Sequence, residues 1–310
     1  MFACLLGLLV AATATAWILH PDAGRDKNIT RSERPSADYY LAHDHGGHVD
    51  HHVLYFGTDA DALAHLKRAE VLFLGNSRLM FAARPGVFDA FFTERGLRYY
   101  VLGFGFREAD RFPLAIIEKF DLRPRVVVVN ADGFFQNHLS DFARTVIKDS
   151  AFGAWKFGVE AETGHEVRRA VHLLVPNYID VFGRPGFSWR RELVIYRSRT
   201  NGTWQPSPWE PGTAPVPGRD LSFPLGRREV TAVRRFKAAM DARGARLVLT
   251  SVPTPRPMGG GPARFAELLG SPLVLAHPPG LMSEDSDHLD ESSAVAWSEA
   301  FVRELGRVLP

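Results

Sequence analysis

Val71-Leu72-Phe73-Leu74-Gly75-Asn76-Ser77-Arg78-Leu79 is the stretch whose reading decides the fold. Its first four residues are wholly apolar, as expected of a strand buried on both faces of a sheet. Gly75 ends the run, and three polar residues follow before Leu79 restores apolar character. A buried strand that breaks at a glycine and turns into a helix exposes the side chain at the turn, here Ser77. The N–H groups of that helix's first turn lack intrahelical acceptors and can face a developing oxyanion. At this level a helix N-cap serine explains Ser77 equally well.

Working outward, the same alternation repeats. Asp59 to Arg68 reads as a helix, with Asp59 as its N-cap and Leu63 and Leu66 on one side. A helix near Gly86 to Arg95 precedes a strand at Tyr99 to Leu102. A helix over Glu108 to Phe120 turns Ile116, Ile117 and Phe120 to the core. Val126-Val127-Val128-Val129 is the clearest strand, because β-branched side chains fit a pleated surface and form helices poorly. Asp141 to Val175 reads as a long helical region, and Asn177 to Phe223 is rich in Pro, Gly, Trp and Arg. We read about 141–225 as an insertion between two halves of one sheet. A helix at Arg228 to Ala242, strands at Arg246 to Ser251 and Leu273 to Ala276, and a helix from Ser292 to about Val308 complete the pattern. Strands joined by helix-length crossovers predict an α/β domain over 59–310, its mostly parallel sheet covered on both faces. Ligands in such folds sit at the carboxyl ends of the strands.

The 310 residues are 45% hydrophobic and 23% charged, enough for a full core and too ordered in composition for wholesale disorder. A net charge of +2 without a concentrated basic tract gives no support for a nucleic-acid partner. Cys4 is the only cysteine, which excludes an internal disulfide and a thiolate metal site.

Residues 1–20 read as a membrane anchor or a signal segment. Met1 to Leu19 carries no charge and is long enough to span a bilayer, with Trp17 near an interface. Ala14-Thr15-Ala16 also has the form of a cleavage site, and the basic n-region of a signal is missing from both readings. Arg25, Lys27, Arg31 and Arg34 favour a cytoplasmic domain by charge alone. Residues 21–58 read as a linker with a histidine-rich loop. His43, His45, His48, His51 and His52, with Asp44 and Asp50 among them, are types that bind zinc. His43, His45 and His48 are the metal candidates, but their spacing fits no known motif, so a solvated loop is the expected state.

The second chemical stretch is Asp285-Ser286-Asp287-His288-Leu289-Asp290, just before the last helix. Asp285 and His288 are three apart, so the carboxylate can orient the imidazole towards a serine. A serine hydroxyl needs such a base, and the imidazolium formed needs a carboxylate. Asp287, adjacent to His288, is a geometrically poorer substitute.

Here the sequence resembles a known family. Val71 to Leu79 is similar to the first block of the SGNH/GDSL hydrolases, whose nucleophilic serine ends the first strand in a Gly-Asp-Ser or Gly-Asn-Ser turn. Asp285 to Leu289 resembles their last block, Asp-x-x-His. The resemblance implies a three-layer α/β/α fold with a flavodoxin-like sheet and a serine esterase or O-acyltransferase using Ser77, His288 and Asp285. It needs neither metal nor organic cofactor. Envelope members that acetylate exopolysaccharides often carry an N-terminal anchor. The implied substrate is therefore an acylated envelope glycan or lipid, and the implied location is a membrane-anchored, extracytoplasmic domain with envelope protein partners.

The middle blocks match less well. Gly103 or Gly105 fits the glycine whose N–H joins the oxyanion hole. The third block, Gly-x-Asn-Asp, becomes Asn130-Ala131-Asp132-Gly133. Asp132 at the donor position would repel the intermediate unless protonated or turned away, and Asn130 is the alternative donor. Losing one oxyanion donor costs about 10²–10³ in rate. That mismatch, with the large insertion, supports the other expectation, a non-catalytic SGNH-like scaffold of a membrane or envelope assembly. Arg78 and Asp132 stand at the ligand edge as substrate-binding candidates, with a surface salt bridge the alternative for Arg78. Trp189, Tyr196, Trp204 and Trp209 suggest either a sugar platform or an apolar cluster under a long loop.

Overall fold

The structure is a computed structural model that describes residues 34–44, 47–105, 108–174, 194–207, 211–217, 224–256 and 261–309. Its centre is a five-stranded parallel sheet: β3 (Val71–Gly75), β4 (Tyr99–Gly103), β5 (Val126–Asn130), β9 (Arg246–Thr250) and β10 (Leu273–Val274), in the order β10-β9-β5-β3-β4. Val71 lies opposite both Tyr99 and Val126, and Val126 lies opposite Arg246, so the strands start level.

Alternate side chains feed two cores. Val71, Phe73, Val101, Val126, Val128 and Val248 pack under α3 (Ser77–Ala82), α4 (Pro85–Glu94) and α10 (Glu291–Leu305). Phe73, Phe88, Phe92, Tyr99 and Phe301 form an aromatic knot there, each pair adding about 0.5–1.5 kcal/mol beyond simple burial. Leu72, Leu74, Tyr100, Leu102, Val127, Val129, Leu247 and Leu249 face the other way. They meet α2 (Ala60–Arg68), α5 (Arg111–Lys119), α6 (Asp141–Lys148), α8 (Arg227–Asp241) and α9 (Pro262–Leu269). Asp59 caps α2 by accepting from the Ala62 N–H at 3.0 Å, as its position predicts. A parallel sheet dry on both faces is the reason its strands read as unbroken apolar runs.

The segment 39–56 corrects the expectation of a linker. β1 (Tyr39–Asp44) and β2 (Gly47–His48) pair with β6 (Val194–Ser198) and β7 (Trp204–Ser207) in a second, antiparallel sheet ordered β2-β1-β6-β7. α1 (Val49–Phe56) then packs on α7 (Ala151–Leu174) and α6. The presumed insertion therefore shares a sheet with the residues that precede the α/β domain. That sheet seals the open edge of β4, where the Asn201 carbonyl accepts from Val101 N–H at 2.8 Å. Arg197 donates to the carbonyls of Val101 and Gly103 at the same edge. The solvated loop is corrected too: Asp50, His51 and His52 are buried. Further on, β8 (Ala214–Pro215) pairs with β11 (Met282–Ser283) ahead of the last helix.

Among the described residues no helix is long and apolar enough to cross a membrane, and the anchor expected at residues 1–20 lies outside them.

Candidate active site

The chain passes from β3 to β4 on one side and returns to β5 on the other, so the sheet order reverses between β3 and β5. In open α/β sheets a crevice forms at that point, beyond the carboxyl ends of the strands. The loops after β3 and β5 flank it.

Gly75 sets the turn after β3. A Cβ there would come within 2.9 Å of Leu79 and 3.0 Å of the Asn130 side chain, so a larger residue would lift α3 off the sheet. Asn76, not Ser77, is the N-cap of α3, its side-chain oxygen accepting from the Arg78 N–H at 3.1 Å. This leaves the Ser77 hydroxyl unneeded for capping. It lies 2.9 Å from Nε2 of His288. On the other side of the ring, Nδ1 of His288 lies 2.7 Å from Oδ2 of Asp285.

The loop carrying these two residues is built around Asp285. Its Oδ1 accepts from the backbone N–H of Asp287 at 2.9 Å and of His288 at 2.7 Å. Ser286 takes a left-handed conformation, φ 70°, to close the turn. Burial works against the charged form of Asp285, but the hydrogen bond and charge of His288 and the two backbone donors outweigh it. The carboxyl is held down at about 2. An ionised Asp285 can only accept, so the Nδ1 of His288 carries the proton and Nε2 offers its lone pair to the Ser77 O–H. Phe81 stacks on the imidazole with ring centroids 4.4 Å apart and fixes its tilt.

Arg78 is neither a surface salt bridge nor open to a ligand. It is 1% exposed, with Nη1 donating to Asp132 and Nη2 to Asp287 at 2.6 Å. Arg256 approaches the other oxygen of Asp287 at 3.5 Å. Arg78 thus ties the serine turn to both neighbouring loops. Asp132 is fully buried and turned to Arg78, which compensates its charge. Asp287 serves this network, and it is Asp285 that meets the imidazole.

The oxyanion candidates separate. Gly103 is needed for space, since a Cβ would come within 2.5 Å of Met80 Sδ. Its carbonyl accepts from Arg197 at 3.1 Å, and strand alternation puts its N–H on that same outer side, away from β3. Phe104 N–H is already bonded to the Gly75 carbonyl at 3.1 Å. Gly105, just beyond, is the one of the two glycine candidates left, and a Cβ on it would stand 3.1 Å from Trp204. Asn130 is fully buried, donating to Asn76 Oδ1 at 3.2 Å and accepting from Val252 N–H at 3.0 Å. It is a knot beneath the serine turn. Asn76 in turn donates to the Asp132 carbonyl at 2.9 Å.

Other sequence candidates fall elsewhere. Trp204 and Tyr196 are buried, in the first core and beside β1 respectively, so neither forms an open sugar platform. Trp189, Trp209 and His45 lie outside the described residues. His43 and His48 stack on each other with centroids 4.4 Å apart, near the buried Asp50 and His51. Sequence reasoning missed Asn76, Phe81 and Arg256. Phe81 carried a usable signal, because it lies four residues after Ser77 on a helix and so shares its face.

No protein-family model and no curated protein matches this chain.

Proposed function

We propose that the chain is a serine esterase or O-acyltransferase of the SGNH/GDSL type, acting on an acyl group of an envelope glycan or lipid. The observation that carries this reading is the continuous relay from Ser77 Oγ through His288 to Asp285, at 2.9 and 2.7 Å. The strand order of the sheet, the flavodoxin-like arrangement, agrees with it.

In this mechanism Ser77 Oγ attacks the acyl carbonyl carbon while His288 Nε2 takes the hydroxyl proton. Asp285 holds the imidazolium that forms. The N–H groups of Ser77 and Gly105 face the carbonyl oxygen as it gains charge. Collapse breaks the ester C–O bond, and His288 returns the proton to the leaving alcohol. Water or a sugar hydroxyl then loses its proton to Nε2 and attacks the acyl-serine, releasing acid or a new ester and restoring Ser77. The envelope setting and the anchor rest on the resemblance and on the apolar N-terminus.

A second reading, an inactive scaffold of the same fold, draws on one observation: Asn130 is engaged beneath the turn and offers no amide across the site. Labelling with a serine-reactive fluorophosphonate separates the two. The active reading expects a labelled wild-type chain and an unlabelled Ser77→Ala variant. Equal labelling, or none in the folded wild type, removes it.

A further inference from the structure

Among the described residues, the most concentrated set of ligand-type side chains outside the serine site lies beside the antiparallel sheet. His48, Asp50 and His51 each bring a possible ligand atom within 4.8 Å of the others. Glu108 adds a carboxylate, its Oε1 3.9 Å from His51 Nε2. Asp50 and His51 are fully buried and Glu108 is 2% exposed.

The hydrogen bonds assign roles within this set. Asp50 accepts from Arg197 Nη1 at 3.0 Å through one oxygen and meets His51 Nδ1 at 2.9 Å through the other. With Arg197 keeping Asp50 ionised, Nδ1 of His51 is the protonated nitrogen and Nε2 keeps a bare lone pair. That lone pair finds no hydrogen-bond partner, and neither does Glu108 Oε2, although both are buried. Glu108 Oε1 also accepts from Ser140 Oγ, and a charged carboxylate buried beside a bare imidazole nitrogen is stable only with a positive centre close to both. A carboxylate on the far nitrogen of a histidine is also the usual brace of a metal-ligating imidazole, since it fixes the tautomer and the ring plane.

We propose that His48, His51 and Glu108 bind a divalent transition-metal ion of the zinc type, with Asp50 as the carboxylate that orients His51. Two imidazoles and a carboxylate suit zinc, and no thiolate is required. The ion would lie behind the loop that follows β4. Gly105 carbonyl accepts from the Glu108 N–H at 3.1 Å, and a Cβ on Gly105 would stand 3.5 Å from His48. Its task would be to clamp that loop and join the two sheets, a structural role that stands whatever Ser77 does.

The test uses the full, untagged chain, loaded with zinc alone, dialysed, and assayed by mass spectrometry of the metal. Cobalt substitution reads the ligand field. The expected result is about one ion per chain, with affinity falling about 100-fold or more in His51→Ala and in Glu108→Gln. Circular dichroism checks that each variant is folded. Should His51→Ala fail to fold, the conservative His48→Gln and Glu108→Gln variants carry the measurement. Removal of the ion should also lower the thermal midpoint of the wild type. Absence of stoichiometric metal in the folded wild type overturns the proposal. So does an unchanged affinity and cobalt spectrum in folded Glu108→Gln and His48→Gln.

Discussion

His288 and His51 each hold a carboxylate at Nδ1, at 2.7 and 2.9 Å, yet their other nitrogens meet opposite surroundings. His288 Nε2 reaches a half-buried serine hydroxyl at the edge of the sheet. His51 Nε2 points into a sealed space and meets an acceptor, Glu108. The partner carboxylates differ as well. Asp285 has a side chain 48% exposed and is shaped by backbone donors, whereas Asp50 is locked to a buried arginine. A carboxylate-histidine pair sets the tautomer in both places. What the second nitrogen faces, and whether a substrate can reach it, decides between proton transfer and ligation.

Replacing Ser77 should break the comparison most sharply. Ser77→Ala is expected to lower ester cleavage or acyl transfer by about 10⁴–10⁶, since members of a triad fail together. The thermal midpoint should stay near wild type, because Asn76 and not Ser77 caps α3. Steady-state rates on a short acyl ester, with melting curves alongside, provide the check. Asp285→Asn should cost about 10⁴ in turnover by stabilising the wrong tautomer of His288. Substrate affinity should change little, and a loss confined to KM would contradict the assignment.

The buried pair should respond in the opposite sense. Arg197→Met strands Asp50 and leaves the Val101 and Gly103 carbonyls without their donor. Removing one member of a buried ion pair costs about 3–5 kcal/mol. Urea unfolding should show that loss, while the Ser77 to His288 relay stays intact in whatever fraction remains folded. Stability near wild type would mean that Arg197 is not the counter-charge of the cluster.

The difference between the two regions also explains what the sequence disclosed. The parallel sheet was legible because a strand dry on both faces must be apolar throughout, as Val71–Leu74 and Val126–Val129 are. Ser77, Asp285 and His288 were legible because they sit at strand and helix ends, in two blocks that together resemble those of a known family. β1, β2 and α1 were hidden, since their histidines and aspartate look polar in sequence. The distant Arg197 and the aromatic rings of Phe104, Phe112, Phe142 and Phe157 make their burial possible. Arg78 was misplaced for a related reason. Its two partners, Asp132 and Asp287, lie 54 and 209 residues away, and no local pattern announces them.

The smallest effect concerns acid. The folded-state carboxyl of Asp285 is held at about 2, below its ordinary 3.8, so its interactions stabilise the fold fully above the ordinary value and are lost as pH falls through the lower one. The gap in thermal midpoint between wild type and Asp285→Asn should therefore close as pH falls from about 4 to 2. Because nearly half of the side chain is exposed, the gap itself should be modest. The same ordering bears on the proposed catalysis: Asp285 remains charged throughout the neutral and mildly acidic range, so any acid limb of the rate profile above pH 5 belongs to another group. A midpoint gap that stays open as pH falls from about 4 to 2 would show that Asp285 is not held by His288 and the turn, and that the resemblance between the two histidine pairs ends at their distances.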